Sequence, residues 1–313
     1  MENQVVLSSQ NSSYADSEIT KPPNWHALVS WDMLFNNLST GLYLVAAVGD
    51  LLFSSTLGPV SRLAYPLALL LLLSDLGCLV LDLGDPLRFH HMLRVFKPSS
   101  PMSFGTWSLT IYSVPLTLIV GLDALSWLGL VPSAGEVVGI VRGILLVLGI
   151  PPALGSAVYK GVLFSTSAQP GWKDARWLGA YMANSAVMLG CAQMLIVAHL
   201  SGQSGAVSML SPLLAVLLGL NLIVLGLLVL GLWPTLKRVV PADRLTGDAL
   251  IVIVGGFAVP ILFSLGRAGT FAWLVGLVAL LGANFVVRHL IVMLPHMARE
   301  IRRHPDPTEH ALR

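Results

Sequence analysis

Eight apolar runs dominate this chain: roughly 34–57, 63–83, 105–130, 137–165, 178–200, 209–233, 249–266 and 270–293. Each is long enough to cross about 30 Å of hydrocarbon as a helix. A chain in lipid must satisfy its backbone within helices or a closed barrel, and none of these runs alternates with period two. The fold class expected is all-α. It is a polytopic membrane bundle of eight transmembrane helices, arranged as two four-helix bundles, with both termini on one side. Composition agrees. Only 11% of the 313 residues are charged, against about 25% in a soluble domain.

Proline and glycine punctuate the gaps at Gly58-Pro59, Lys97-Pro98, Val131-Pro132, Gln169-Pro170-Gly171 and Pro241. Gly255-Gly256 and Pro260 fall inside the seventh run, where a kink or close helix contact is expected. Three segments follow: a polar tail over 1–24, a membrane domain over 25–295 and a basic tail over 296–313. The first tail lacks the charged-then-apolar order of a cleavable signal peptide. Cys78 and Cys191 both lie in apolar runs, which suits neither a disulfide frame nor a thiolate metal site. No metal site and no nucleic-acid partner are expected; the lipid bilayer is.

The end of the bundle that carries both termini, side A, receives 15 of the 18 lysines and arginines, and side B only Arg62, Arg142 and Arg267. By the positive-inside rule side A faces the cytoplasm.

Polar groups inside the runs are costly in lipid and mark candidate sites. Asp32, Asn36 and Thr40 share one face of the first helix near side A. Asp75 lies deep in the second helix and Asp82 a heptad further on. Asp85, Arg88, His90, His91, Arg94 and Lys97 crowd the loop that follows. Tyr159 lies near the side A end of the fourth helix, and Asp50, Asp123 and Arg142 lie toward side B. A carboxylate and a phenol near one membrane face could hydrogen-bond the two carbonyls of a quinone ring and exchange protons with it. Plain structural readings stand beside these: Asp82 and Asp85 with Arg88 as a paired helix end, Asn36 and Thr40 as interhelical hydrogen bonds. The histidines do not suit a di-haem bundle, because His199 is near side B while His26, His90, His91, His289 and His296 lie at side A. A single haem at side A stays open on this criterion.

The block DLGCLVLDLGDPLRFHHMLRVFKPSSPMSFGTW resembles a segment of the NrfD/PsrC family, the membrane subunits of polysulfide-reductase-type complexes. The shared pattern is acidic-Pro-x-Arg-Phe, then Ser-Pro-hydrophobic and a Gly-x-Trp helix start. Tyr159 and Gly161 followed by Pro170 and Trp172 resemble the family's Tyr-x-Gly…Pro-x-Trp pattern, and the first helix WDMLFNNLSTGLYL adds a third block. GGFAVPILF and NFVVRHLIV add a weaker fourth.

The resemblance implies a multi-pass protein of the bacterial inner membrane with no haem of its own. It implies a quinone, menaquinone or ubiquinone, near the face where a ferredoxin-like iron–sulfur subunit and a catalytic subunit dock, the side of both termini. Iron–sulfur clusters, with a molybdenum cofactor as an option, would belong to those partners. The chain would hold no catalytic core residues. Tyr159 matches the family tyrosine that contacts the quinone. Asp32 stands where one branch has a histidine, and Val29 where it has an asparagine. Asp32 and Asn36 are then candidates to hold the headgroup, with Arg88 and His91 at the mouth. Asp75, Asp82, Asp123, Arg142 and Asp50 are candidates for a proton path toward side B. The best-known members dock their partner in the periplasm, whereas the charge count puts side A in the cytoplasm. A transporter or channel, and a purely structural anchor, are the competing classes.

Overall fold

The computed structural model describes residue 23 and residues 25–131, 135–265 and 269–303. The expectations for residues 1–22 and 304–313 of the two tails lie outside these residues. Among the described residues nine α-helices run in chain order: α1 (Ala27–Leu52), α2 (Ser54–Leu81), α3 (Pro101–Trp127), α4 (Glu136–Ser165), α5 (Leu178–Leu200), α6 (Ser204–Val239), α7 (Ala242–Ile253), α8 (Val259–Leu265) and α9 (Thr270–Arg303). A 3₁₀ helix (Pro86–Leu93) joins α2 to α3. The helices α1–α4 form one four-helix bundle, and α5, α6, the α7–α8 pair and α9 form the second.

Among the described residues seven segments are long and apolar enough to cross a membrane, with α7 and α8 counting as the single span Ala242–Ser264. The expected eighth crossing is α1, whose 26 residues extend about 39 Å. It is less apolar because Asp32, Asn36, Asn37, Ser39 and Thr40 are all buried on it. The reason is position. Buried at 18 of its 26 residues, α1 packs against α2, α4, α5 and α9, and so presents polar groups to protein instead of lipid.

Backbone contact holds the two bundles together where α1 crosses α5. A methyl group on Gly41 would run into the Ala186 carbonyl, and one on Gly190 into the Gly41 carbonyl. Small residues permit this approach, which in a membrane takes the place of hydrophobic driving force. Gly41→Leu is expected to lower stability by at least roughly 1–3 kcal/mol, read as the midpoint of unfolding of the purified protein. A wild-type midpoint would show that the crossing is not this tight.

The turn expected at Gly58-Pro59 is not a turn. The chain reverses at Phe53, and Pro59 and Pro66 lie within α2. Both stand beyond the first turn, where each removes one backbone hydrogen bond from the helix. The break expected in the seventh run is present as a π-helical turn over Val254–Ala258. There Gly256 packs against Ala283 of α9. Such turns relieve the backbone where a neighbouring helix comes close. At the start of α3, Ser100 caps the helix by accepting a hydrogen bond from the Ser103 amide, 3.4 Å, with Pro101 in the first turn.

Candidate functional site

Four residues one turn apart on two facing helices set up the site. Asp32 and Asn36 on α1 oppose Ser156 and Lys160 on α4, and Asp75 of α2 closes the group. Lys160 Nζ lies 2.8 Å from Asp32 Oδ1 and 3.1 Å from Asp75 Oδ1, and it also donates to the Asp32 carbonyl at 3.2 Å. Asn36 Nδ2 donates to Asp75 Oδ2 at 3.0 Å and to Ser156 Oγ at 2.9 Å. The Asp75 side chain is wholly buried, and those of Asp32 and Lys160 are each 6% exposed. Charges so deep persist only when paired or held by several hydrogen bonds. The Asp32 ion pair runs through Oδ1, 2.8 Å from the lysine, so one ammonium serves both carboxylates.

Tyr159 precedes Lys160 on α4 and is buried, its ring seated on Gly105 of α3 with no space for a side chain at that position. Lys160 Nζ is 5.5 Å from the centre of this ring. Lysine, phenol and two carboxylates thus form one cluster. Of the residues singled out in the sequence, Asp32, Asn36, Asp75 and Tyr159 come together here. Thr40 shares their face but bonds back to the Asn36 carbonyl at 2.7 Å.

Arg88 and His91 stand elsewhere. Both are exposed on the 3₁₀ helix, where Arg88 pairs with Asp85 at 2.9 Å and the His91 ring packs on His90. Asp82 caps the end of α2, and burial pushes its carboxyl above the ordinary range while nearby His26 opposes the shift. These groups belong to the surface of side A.

A second polar node lies across α1 from the first. Arg288 of α9 is fully buried and donates to Asn37 Oδ1 and Ser185 Oγ, both at 2.9 Å, and to the carbonyl and Oδ1 of Asn284, both at 3.0 Å. Its Nε finds no acceptor. All these partners are neutral, whereas the Asp32–Lys160–Asp75 cluster carries one carboxylate more than it has lysines. Asn36 and Asn37, adjacent on α1, reach one node each.

A family description, polysulphide reductase NrfD, matches residues 17–301, nearly the whole chain and every helix of both bundles. The chain belongs to the NrfD family. Membership makes it a membrane subunit of a quinone-linked oxidoreductase complex. No curated relative matches the chain.

This NrfD protein carries its third polar group at side B. Arg142 of α4 donates to Asp50 Oδ2 from Nε and Nη2, at 3.1 and 3.0 Å, and pairs with Asp123 through Nη1. The Tyr65 hydroxyl donates to the same Asp50 oxygen at 3.3 Å, beneath the guanidinium. A cavity of about 350 Å³ reaches this pair, lined by Arg62, Asp123 and Arg142 among others. Between the two ends, the rings of Tyr65, Tyr43 and Tyr112 follow one another at 6.1 and 5.2 Å. The Tyr112 hydroxyl meets Ser39 Oγ at 2.9 Å, one turn from Asn36. Asp50, Asp123 and Arg142, expected toward side B, are therefore one ion-paired group; the tyrosine rings lie between it and the Asp75 end, but the Tyr43 hydroxyl donates to the Leu145 and Leu146 carbonyls and not to a neighbouring tyrosine.

Sequence reasoning did not single out Lys160 or Arg288, both counted among the basic flanks of side A. One signal pointed to them: carboxylates within spans require cations at matching depth. Tyr43, Tyr65 and Tyr112 carried no comparable signal, because tyrosines in apolar runs are ordinary core residues.

Proposed function

We propose that this NrfD protein is the quinone-reacting subunit of its complex, passing electrons between an iron–sulfur partner docked at side A and the membrane quinone pool. The observation that carries this reading is the cluster of Asp32, Asp75, Lys160 and Tyr159, buried in the first bundle. Its residues fit such a ligand. Tyr159 and Lys160 are donors suited to ring oxygens, and Asp32 is a carboxylate beside them, paired with the same lysine. Quinone, when bound, supplies two-electron, two-proton redox chemistry. The chain's part is to orient and to move protons. Tyr159 holds its hydroxyl where the Gly105 seat fixes it, Lys160 balances the carboxylates, and Asp32 takes or gives a proton at Oδ1. Arg88 and His91 belong, in this reading, to the approach and to the partner's footprint. Iron–sulfur clusters, and a molybdenum cofactor where the catalytic partner has one, lie outside this chain. The purified assembly is expected to catalyse quinol-linked electron transfer while its spectrum shows no haem band from this subunit. An intact assembly without quinone-linked turnover, or a strong haem band assigned to this chain, would sink the reading.

Proton movement to side B is proposed from the cavity at Arg142 and Asp123 and from the Tyr65 hydroxyl on Asp50; the ladder of Tyr65, Tyr43 and Tyr112 needs a further carrier, because the Tyr43 hydroxyl is bonded to the backbone of α4. In this reading Asp75 and Asp50 bound the ladder, and Asp82 sits at its side A surface.

Side A is proposed to be cytoplasmic, in the bacterial inner membrane. Lys160 and Arg288 are buried inside the bundle, yet the remaining lysines and arginines still crowd side A. A reporter fused after Arg313 is expected to be active in the cytoplasm, and activity in the periplasm alone would reverse the assignment.

A further inference from the structure

The second bundle encloses an apolar cavity of about 600 Å³ between α6, α7 and α9. The cause is the turn at Pro241, after which α7 packs on α9 while α6 stays against α5, leaving a wedge between α6 and α7. Its walls are side chains such as Leu228, Leu232, Leu245, Val252 and Leu290. On α6 the lining runs from Leu225 to Lys237, 13 residues that span about 18 Å along the helix. One leaflet of the hydrocarbon core is about 15 Å deep. The wedge therefore descends from the side A surface to the midplane of the bilayer.

Its two ends differ. At the surface stand Trp233, with Lys237 Nζ 4.9 Å from its ring, then Thr246 and Asp248. Arg238 follows Lys237, and Arg244 reaches Asp248 only at 3.8 Å. At the deep end Leu225 and Val252 also line a cavity of about 10 Å³ beside Tyr181, Asn221 and Asn284. Those polar groups are engaged: Tyr181 donates to Asn284 at 3.1 Å, and Asn184 donates to Asn221 at 3.1 Å. Neither a ring nor a headgroup fits there. A ligand with its polar part outermost and its chain innermost does.

We propose that this wedge is a binding site for one acyl chain of an anionic phospholipid, with the phosphate held at side A by Lys237 and attracted by Arg238 and Arg244. An apolar space left empty forfeits dispersion contacts along its whole length, and a lipid chain restores them. Basic residues at a membrane surface attract anionic headgroups. The ligand is a lipid of the surrounding leaflet, so the site is independent of the quinone chemistry proposed for the first bundle.

The test is native mass spectrometry of the purified assembly after reconstitution in nanodiscs of equal parts phosphatidylglycerol and phosphatidylcholine. One phosphatidylglycerol is expected to persist on each copy of this chain. Lys237→Glu, at an exposed position, is expected to cut that retention roughly fivefold or more, with melting temperature and quinone-linked turnover unchanged. Leu290→Trp, which fills the wedge, is expected to abolish it. Wild-type protein that keeps no lipid, or keeps both lipids equally, would overturn the proposal. So would Leu290→Trp that retains lipid as well as wild type, or a quinone in place of the phospholipid.

Discussion

Replacing Lys160 with methionine is expected to destabilise the protein by roughly 3–5 kcal/mol and to abolish quinone-linked turnover. The variant keeps the length of the side chain and removes its charge, so Asp32 and Asp75 are left facing one another inside the bundle. Two like charges without the lysine repel one another at such depth. Removing a single partner of a buried charge group costs more than removing the group, because the partner left behind is unpaired. The second variant follows from this. Lys160→Met combined with Asp75→Asn is expected to recover part of the lost stability while turnover stays absent. Unfolding of the single and double variants, read as a double-mutant cycle, measures the coupling directly. Additive losses would show that Lys160 and Asp75 do not share a site, and a wild-type midpoint for Lys160→Met would show that the lysine escapes to the surface.

Tyr159→Phe is expected to leave the bundle intact and lower quinone-linked turnover by roughly 100-fold. The ring rests on Gly105 and is buried by α3 and α4, contacts that phenylalanine keeps. Only the hydroxyl is lost, and with it a hydrogen-bond donor and proton carrier at the proposed headgroup position. The measurement pairs turnover with recovery of the whole assembly from detergent, so that a folding defect shows itself. Unchanged turnover in an intact assembly would move the quinone elsewhere or leave this chain a structural anchor.

The spans were legible in the sequence because lipid imposes long apolar runs, and the broken seventh span because two glycines and a proline fall together. Asp32, Asn36 and Asp75 were legible as a face, since carboxylates and amides at those depths are too costly to leave against lipid. Tyr159 was reached through the family pattern around it. Lys160 was not legible as a partner. A lysine near a helix end ordinarily snorkels to the surface, and only the five further residues of α4, up to Ser165, place it under the membrane face. Arg288 was hidden for the same reason. Its depth depends on α9 continuing to Arg303, and on amide and hydroxyl partners from α1 and α5 that no local pattern announces. The central position of α1 was equally unreadable, because a polar face shows that something is opposed without saying what.

One residue, Phe53, separates α1 from α2. That brevity bears on how the chain enters the bilayer during synthesis. Alone, α1 would carry Asp32, Asn36 and Asn37 into hydrocarbon, where polar and charged groups are costly. Its successor brings Asp75 to bond Asn36. With one residue between them, α1 and α2 are neighbours in synthesis as in the fold, and α2 carries Asp75 to the polar face of α1. The described helix richest in buried polar side chains thus finds its first partner in the segment made directly after it.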